Sequence, residues 1–175
     1  MRSDPAEALC LACGLCCNGA IFRDVKLTTG DNAVSLRKLG LSFKRTGPGF
    51  AMRQPCTAFH GGKCGVYEDR PVHCRTFECV TLKRLLNRDL ESATAHKLVK
   101  RARRDVGSVN RLLTELGDHD KTASLQARFQ ETMKRCGSHP LTAIQAEALS
   151  RLTISMHKLN LLLSREFYPN AVNQV

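Results

Sequence analysis

In the second half of the chain, apolar residues recur every three or four positions, the spacing that lines them up on one face of an α-helix. Between residues 140 and 167 the stripe runs Leu141, Ile144, Ala148, Leu152, Met156, Leu159, Leu163 and Phe167, and predicts one long helix stopped by Pro169. Ala95, Val99, Ala102, Val106, Val109, Leu113 and Leu116 predict a second helix that begins near Ser92 and is closed by Gly117. A third carries Leu125, Phe129, Met133 and Cys136 and ends at Gly137. A shorter one starts near Cys79, with Leu82, Leu86 and Leu90 on one face. None of these helices can bury its stripe alone, so an antiparallel bundle of three or four is expected.

The first eighty residues follow no such period. Residues 21–27 predict a short strand and residues 31–39 a short helix closed by Gly40. The stretch "FHGGKCGVY" reads as two short strands around a Gly-Gly turn, with Cys56 ahead of the first strand and Cys64 in the second. The fold class expected is mainly α. A small irregular α+β cysteine-rich module, residues 1–80, packs on an antiparallel helical bundle, residues 81–175, and the two form one compact unit. No Gly/Ser/Pro linker divides them and no internal repeat is present.

Composition narrows this picture. Trp is absent and aromatics make up 5% of the 175 residues, so the core must be aliphatic. The opening MRSDPAEALC lacks an apolar export segment, and the longest pure aliphatic run, residues 161–163, is far too short to span a bilayer. A cytoplasmic protein without a membrane segment is expected. The formal net charge of +11 invites a nucleic-acid partner. However, that charge counts every cysteine as neutral. A four-thiolate zinc site carries a net −2, so two such sites would bring +11 to +7. The run "KLVKRARR" places Lys97, Lys100, Arg101 and Arg104 opposite the apolar stripe, as on any solvated bundle helix, and no aromatic residues interleave to stack bases. Nucleic-acid binding is therefore a minor reading, and a protein partner or substrate is left open.

Chemistry concentrates in the cysteines, eight of whose nine lie between Cys10 and Cys79. Cys10, Cys13 and Cys16 form C-x2-C-x2-C, with Cys17 directly after. Such spacers let backbone turns aim successive sulfurs at one ion or cluster, as in bacterial ferredoxins, although the proline-bearing run found there is missing. Gly14 and Gly19 supply the φ freedom a tight wrap needs. Cys56, Cys64, Cys74 and Cys79 bring the count to eight, enough for two four-coordinate sites or one cluster plus a second metal. Adjacent Cys16 and Cys17 diverge in extended backbone, so either two sites meet there or one thiol is spare. Cys79, at a helix start, is expected to have its thiolate favoured by the helix dipole. Arg70 and Arg75 are candidates to neutralise the site, with Glu68 and Asp69 as local partners of Arg70. His60 and His73 lie in the region and are candidates for occasional ligation or for supporting hydrogen bonds. Cys136, on an apolar stripe, reads as a core cysteine. Reducing conditions disfavour disulfides, and nine thiols cannot all pair. Iron–sulfur is preferred on the C-x2-C-x2-C spacing, with zinc the alternative.

Taken together, C-x-x-C-G-x-C-C and the later C…C-x-V-Y-E-x-R-P-x-x-C-R-x-F-x-C resemble the CxxCxxCC, or YkgJ-type, cysteine-cluster family. The matching residues are Cys10, Cys13, Gly14, Cys16, Cys17, Cys56, Cys64, Tyr67, Glu68, Arg70, Pro71, Cys74, Arg75, Phe77 and Cys79. The resemblance implies a zinc- or iron-chelating, or iron–sulfur, domain over roughly residues 10–80. Flagellin lysine methylase is similar to this family as well, which admits an iron–sulfur-dependent protein-modifying enzyme such as a lysine N-methylase. A zinc-stabilised structural or interaction module is the other alternative. No Ser–His–Asp pattern, phosphate loop or dinucleotide fingerprint accompanies the cysteines.

Overall fold

The structure is a computed structural model that describes residues 4–168; the expected helix stop at Pro169 lies outside them. The chain opens on a helix that the hydrophobic pattern did not predict, α1 (Pro5–Cys13). Its Asp4 side chain caps the Ala6 N–H, Pro5 stands in the first turn, and Gly14 ends it in left-handed backbone at φ 66°. A three-stranded antiparallel sheet follows, made of β1 (Asp24–Lys26), β2 (Lys44–Thr46) and β3 (Gly49–Arg53) in the order β1-β3-β2. Val25 lies opposite Met52, and Arg45 opposite Phe50. The strand expected over 21–27 thus shortens to three residues, and the β2–β3 hairpin is new. Between β1 and β2 sits α2 (Ala33–Lys38), whose Asn32 side chain accepts from the N–H groups of Val34 and Ser35. The Gly-Gly turn is as expected: β4 (Phe59–His60) pairs with β5 (Lys63–Cys64) across two glycines at positive φ.

Helices make up the remainder: α3 (Val72–Thr76), α4 (Val80–Leu86), α5 (Ser92–Glu115), α6 (Leu125–Gly137) and α7 (Ala143–Glu166). All seven predicted stripe residues of the α5 segment, Ala95 to Leu116, are buried. α5 and α7 run antiparallel, since Glu115 at the end of α5 meets Arg151 early in α7, while Val99 early in α5 and Phe167 just past the end of α7 wall the same cavity. Two expectations need correction. α7 begins at Ala143, where Thr142 and Gln145 form a reciprocal capping box, so its first turn projects beyond the bundle and Ile144 is 81% exposed. Leu86 is 47% exposed, because α4 ends there and its last turn leaves the core. Among the described residues, no helix is long and apolar enough to cross a membrane.

Buried apolar residues form two clusters. The larger joins α4 to α7 with Leu9 of α1 and with Leu15 and Ile21 of the loop that follows. The smaller holds Val25, Leu36, Leu41, Met52, Cys56 and Ala58 beneath the sheet. A buried ion pair braces the bundle: Arg128 Nε donates to Asp118 Oδ2 at 2.8 Å, and Arg128 also reaches Asn110 at 2.6 Å. The far end of α7 returns to the cysteine region. Thr81 donates to the Glu166 carbonyl, Val80 N–H to the Phe167 carbonyl, and the Tyr168 hydroxyl to the Ile21 carbonyl.

Candidate metal centre

Six short segments present the eight clustered cysteines. Cys10 and Cys13 stand one turn apart on α1, which places their side chains on one face of the helix. A turn closed by the Gly14 carbonyl, accepting from the N–H groups of Cys17 and Asn18, carries Cys16 and Cys17. Helix, glycine and turn therefore replace the open wrapping loop expected over residues 10–17, while Gly14 and Gly19 (φ 79°) take the left-handed backbone anticipated for them. A Cβ on Gly14 would stand 2.5 Å from the Phe59 ring. Cys56 donates its N–H to the Cys17 carbonyl at 2.8 Å, and Cys64 sits on β5 opposite Phe59. Cys74 lies on α3, and Cys79 caps α4, its sulfur accepting from the Leu82 N–H at 3.4 Å.

All eight thiols line a single cavity of about 100 Å³. They ring this space and do not meet at a point: among the described residues, no three Cys, His, Asp or Glu side chains are drawn close enough to hold one ion as they stand. Each of the nine cysteines is free, so disulfides take no part. Arg70, His73 and Gln54 also line the cavity, and the Gln54 Oε1 is buried without a hydrogen-bond partner.

Burial dominates the acid–base character of these thiols. It raises Cys10, Cys16, Cys56 and Cys79, and lifts Cys13 and Cys74 to about 12, with neighbouring thiol charges adding to the rise at Cys10, Cys13, Cys16, Cys56 and Cys74. Cys79 departs from expectation here. The N–H groups at the start of α4 do lower it, but desolvation outweighs them, so its thiol is raised. Interaction between the Cys17 and Cys64 thiols lowers Cys64 and raises Cys17.

The cations differ in part from those foreseen. Arg70 acts on Cys10, Cys64 and Cys74; its guanidinium lies 3.5 Å over the Tyr67 ring and its Nε donates to the Tyr67 carbonyl. Tyr67 therefore holds Arg70, and among the described residues no ion pair links it to Glu68 or Asp69, both exposed. Arg75 is exposed and absent from the cavity lining. The cation missed in the sequence is Arg103, on α5, which donates to the Ala12 carbonyl at 2.6 Å and lowers Cys13. His60 is exposed and lies off the cavity lining, while His73 packs with Phe22 and Phe77 at the wall. Cys136 is buried in the bundle core, as read from its stripe. Lys97, Lys100, Arg101 and Arg104 are all exposed.

The donor set fits a thiophilic metal. Eight sulfurs around an apolar-walled space, with two arginines to offset thiolate charge, suit zinc or iron and not the hard, oxygen-seeking Mg²⁺ or Ca²⁺. Comparison with known proteins agrees: a family model described as "Putative zinc- or iron-chelating domain" matches residues 9–97, a span that takes in all eight cavity cysteines. No curated protein and no solved structure matches the chain.

Proposed function

This chain belongs to the CxxCxxCC family of zinc- or iron-chelating domains, and on that footing we propose that Cys10, Cys13, Cys16, Cys17, Cys56, Cys64, Cys74 and Cys79 bind the metal as thiolates. The observation that carries the ligand assignment is the shared cavity: six short segments bring these eight thiols, and not Cys136, around one space. Iron–sulfur is the form proposed, on the C-x2-C-x2-C spacing, with zinc as the alternative. When bound, an iron–sulfur centre would supply one-electron chemistry, and zinc a structural cross-link.

The chain's own residues have three roles in this reading. The thiols would release their protons to solvent as metal binds, because only thiolate sulfur is a ligand. Arg70 and Arg103 offset the charge that results. The helices α4, α5 and α7 form the wall that keeps water from the sulfurs, through Leu82, Val99 and Phe167. A reducing compartment such as the cytoplasm would keep the eight cavity cysteines free for this role. The helical half supports the site or carries the surface for a partner.

Anaerobic purification followed by metal analysis and a visible spectrum tests the proposal. A brown protein containing iron and acid-labile sulfide is the expected result. Stoichiometric zinc in a colourless protein would replace the iron–sulfur reading with the structural one. A reduced, folded chain that holds neither metal overturns the proposal.

A further inference from the structure

The adjacent thiols Cys16 and Cys17 turn toward different cores. Cys16 packs, with Cys10, Cys13 and Cys79, against the large cluster of the helical bundle. Cys17 packs, with Cys56 and Cys74, against the small cluster beneath the sheet.

Backbone geometry gives the reason. α1 packs on both α4 and α5, which brings the face bearing Cys10 and Cys13 to the N-cap sulfur of Cys79. The Cys56 N–H bonded to the Cys17 carbonyl, the Phe59 N–H bonded to the Cys56 carbonyl, and the pairing of Phe59 with Cys64 tie the second group to the β4–β5 hairpin. α3, packed on β1, adds Cys74.

We infer that the eight cysteines form two separate four-thiolate sites, Cys10–Cys13–Cys16–Cys79 on the helical bundle and Cys17–Cys56–Cys64–Cys74 on the sheet module, meeting at the Cys16–Cys17 peptide bond. The inference rests on the metal-binding reading above and specifies how that binding is divided. Each site takes one thiophilic metal centre. Arg70 lines the cavity with both groups and is the cation common to them.

The test uses the full chain, reduced and freed of metal, with zinc as the metal added. The wild type is expected to take up two zinc ions, with four sulfur neighbours per zinc by X-ray absorption. Cys79→Ser and Cys56→Ser should each keep one. The doubles Cys16→Ser/Cys79→Ser and Cys17→Ser/Cys56→Ser should also keep one, since both substitutions fall in the same site. Cys16→Ser/Cys17→Ser should keep none. A wild type that binds a single zinc, a Cys16→Ser/Cys79→Ser double that loses both, or fewer than four sulfurs per zinc overturns the division into two sites. The X-ray absorption count needs no variant and so stands even where a substitution prevents folding. The two proposals fail differently: a wild type that binds no metal sinks the metal-binding reading itself, whereas one that binds metal as a single indivisible unit sinks only this inference.

Discussion

The N–H of Cys56 donates to the carbonyl of Cys17 at 2.8 Å, so the two halves of the cysteine motif are joined through the backbone. The residues around that bond belong to the small cluster, where six buried apolar or thiol side chains are all the core there is. A core that small depends on added cross-links, and bound metal provides them. Chelation is therefore expected to remove hydrogen-exchange protection from β1 to β5 and from the Cys56 amide. α1 should keep more of its protection, because Leu9 is buried in the bundle core. Full protection of the sheet module after metal removal would contradict this.

Seven of the eight cavity thiols are raised above the ordinary value of 9.0, and Cys64 alone is lowered. Raised thiols must lose protons when metal binds, so zinc affinity should climb steeply with pH, and acidification should release the metal. The metal-free chain has the opposite dependence. A thiol raised on folding contributes stability that is complete below 9.0 and is lost as pH rises toward about 12, the position of Cys13 and Cys74. Thermal melting of the reduced, metal-free chain should thus fall above pH 9.0, while the loaded chain changes less. Equal alkaline losses in both forms would refute the burial of these thiols as the cause.

Gly14 joins Cys13 to the Cys16–Cys17 turn and carries φ 66°, and an added methyl would strike the Phe59 ring. Gly40 also has positive φ, at 85°, but faces open space. Gly40→Ala should cost only the backbone strain, about 1–2 kcal/mol. Gly14→Ala should cost more than this and lower zinc occupancy as well, read by denaturant unfolding and by metal content. Equal effects of the two substitutions would show that the Phe59 contact is unimportant.

Arg128 and Asp118 have side chains only 9% and 10% exposed. Arg128→Ala leaves a buried carboxylate without its partner, for which a loss of about 3–5 kcal/mol is expected. The pair lies apart from the thiol cavity, so zinc stoichiometry should not change in the fraction that remains folded. Loss of metal from that folded fraction would tie the bundle to the site more tightly than the packing indicates.

What could be read from the residues divides along physical lines. α5 was legible because its stripe persists through six turns, and every residue on it is buried. α1 is short and apolar at almost every position, so no polar face stands out to display a period, although Asp4, Pro5 and Gly14 mark its start and stop. The β2–β3 hairpin hid behind Lys44 and Arg45, and Lys44 is held by Asp24 at 3.0 Å, a partner twenty positions away. Spacing showed that the thiols cluster and left open which belong together. Cys79 comes to the Cys10 side of the cavity through the packing of α4 on α1, and Arg103 reaches Ala12 from 91 residues away. Such pairings arise from the tertiary fold, and no local pattern encodes them.

Phe167 is fully buried, walls the thiol cavity, and accepts the Val80 N–H through its carbonyl. It also follows Cys79 by most of the helical half. A ribosome delivers residues at roughly 5–20 per second, so several seconds separate synthesis of the last clustered thiol from that of the residue that closes over it. Throughout that interval the nascent chain carries a full set of cysteines without its lid. Loading during translation, before oxidants or competing ions reach those sulfurs, would make the timing of metal delivery as important to this protein as its affinity.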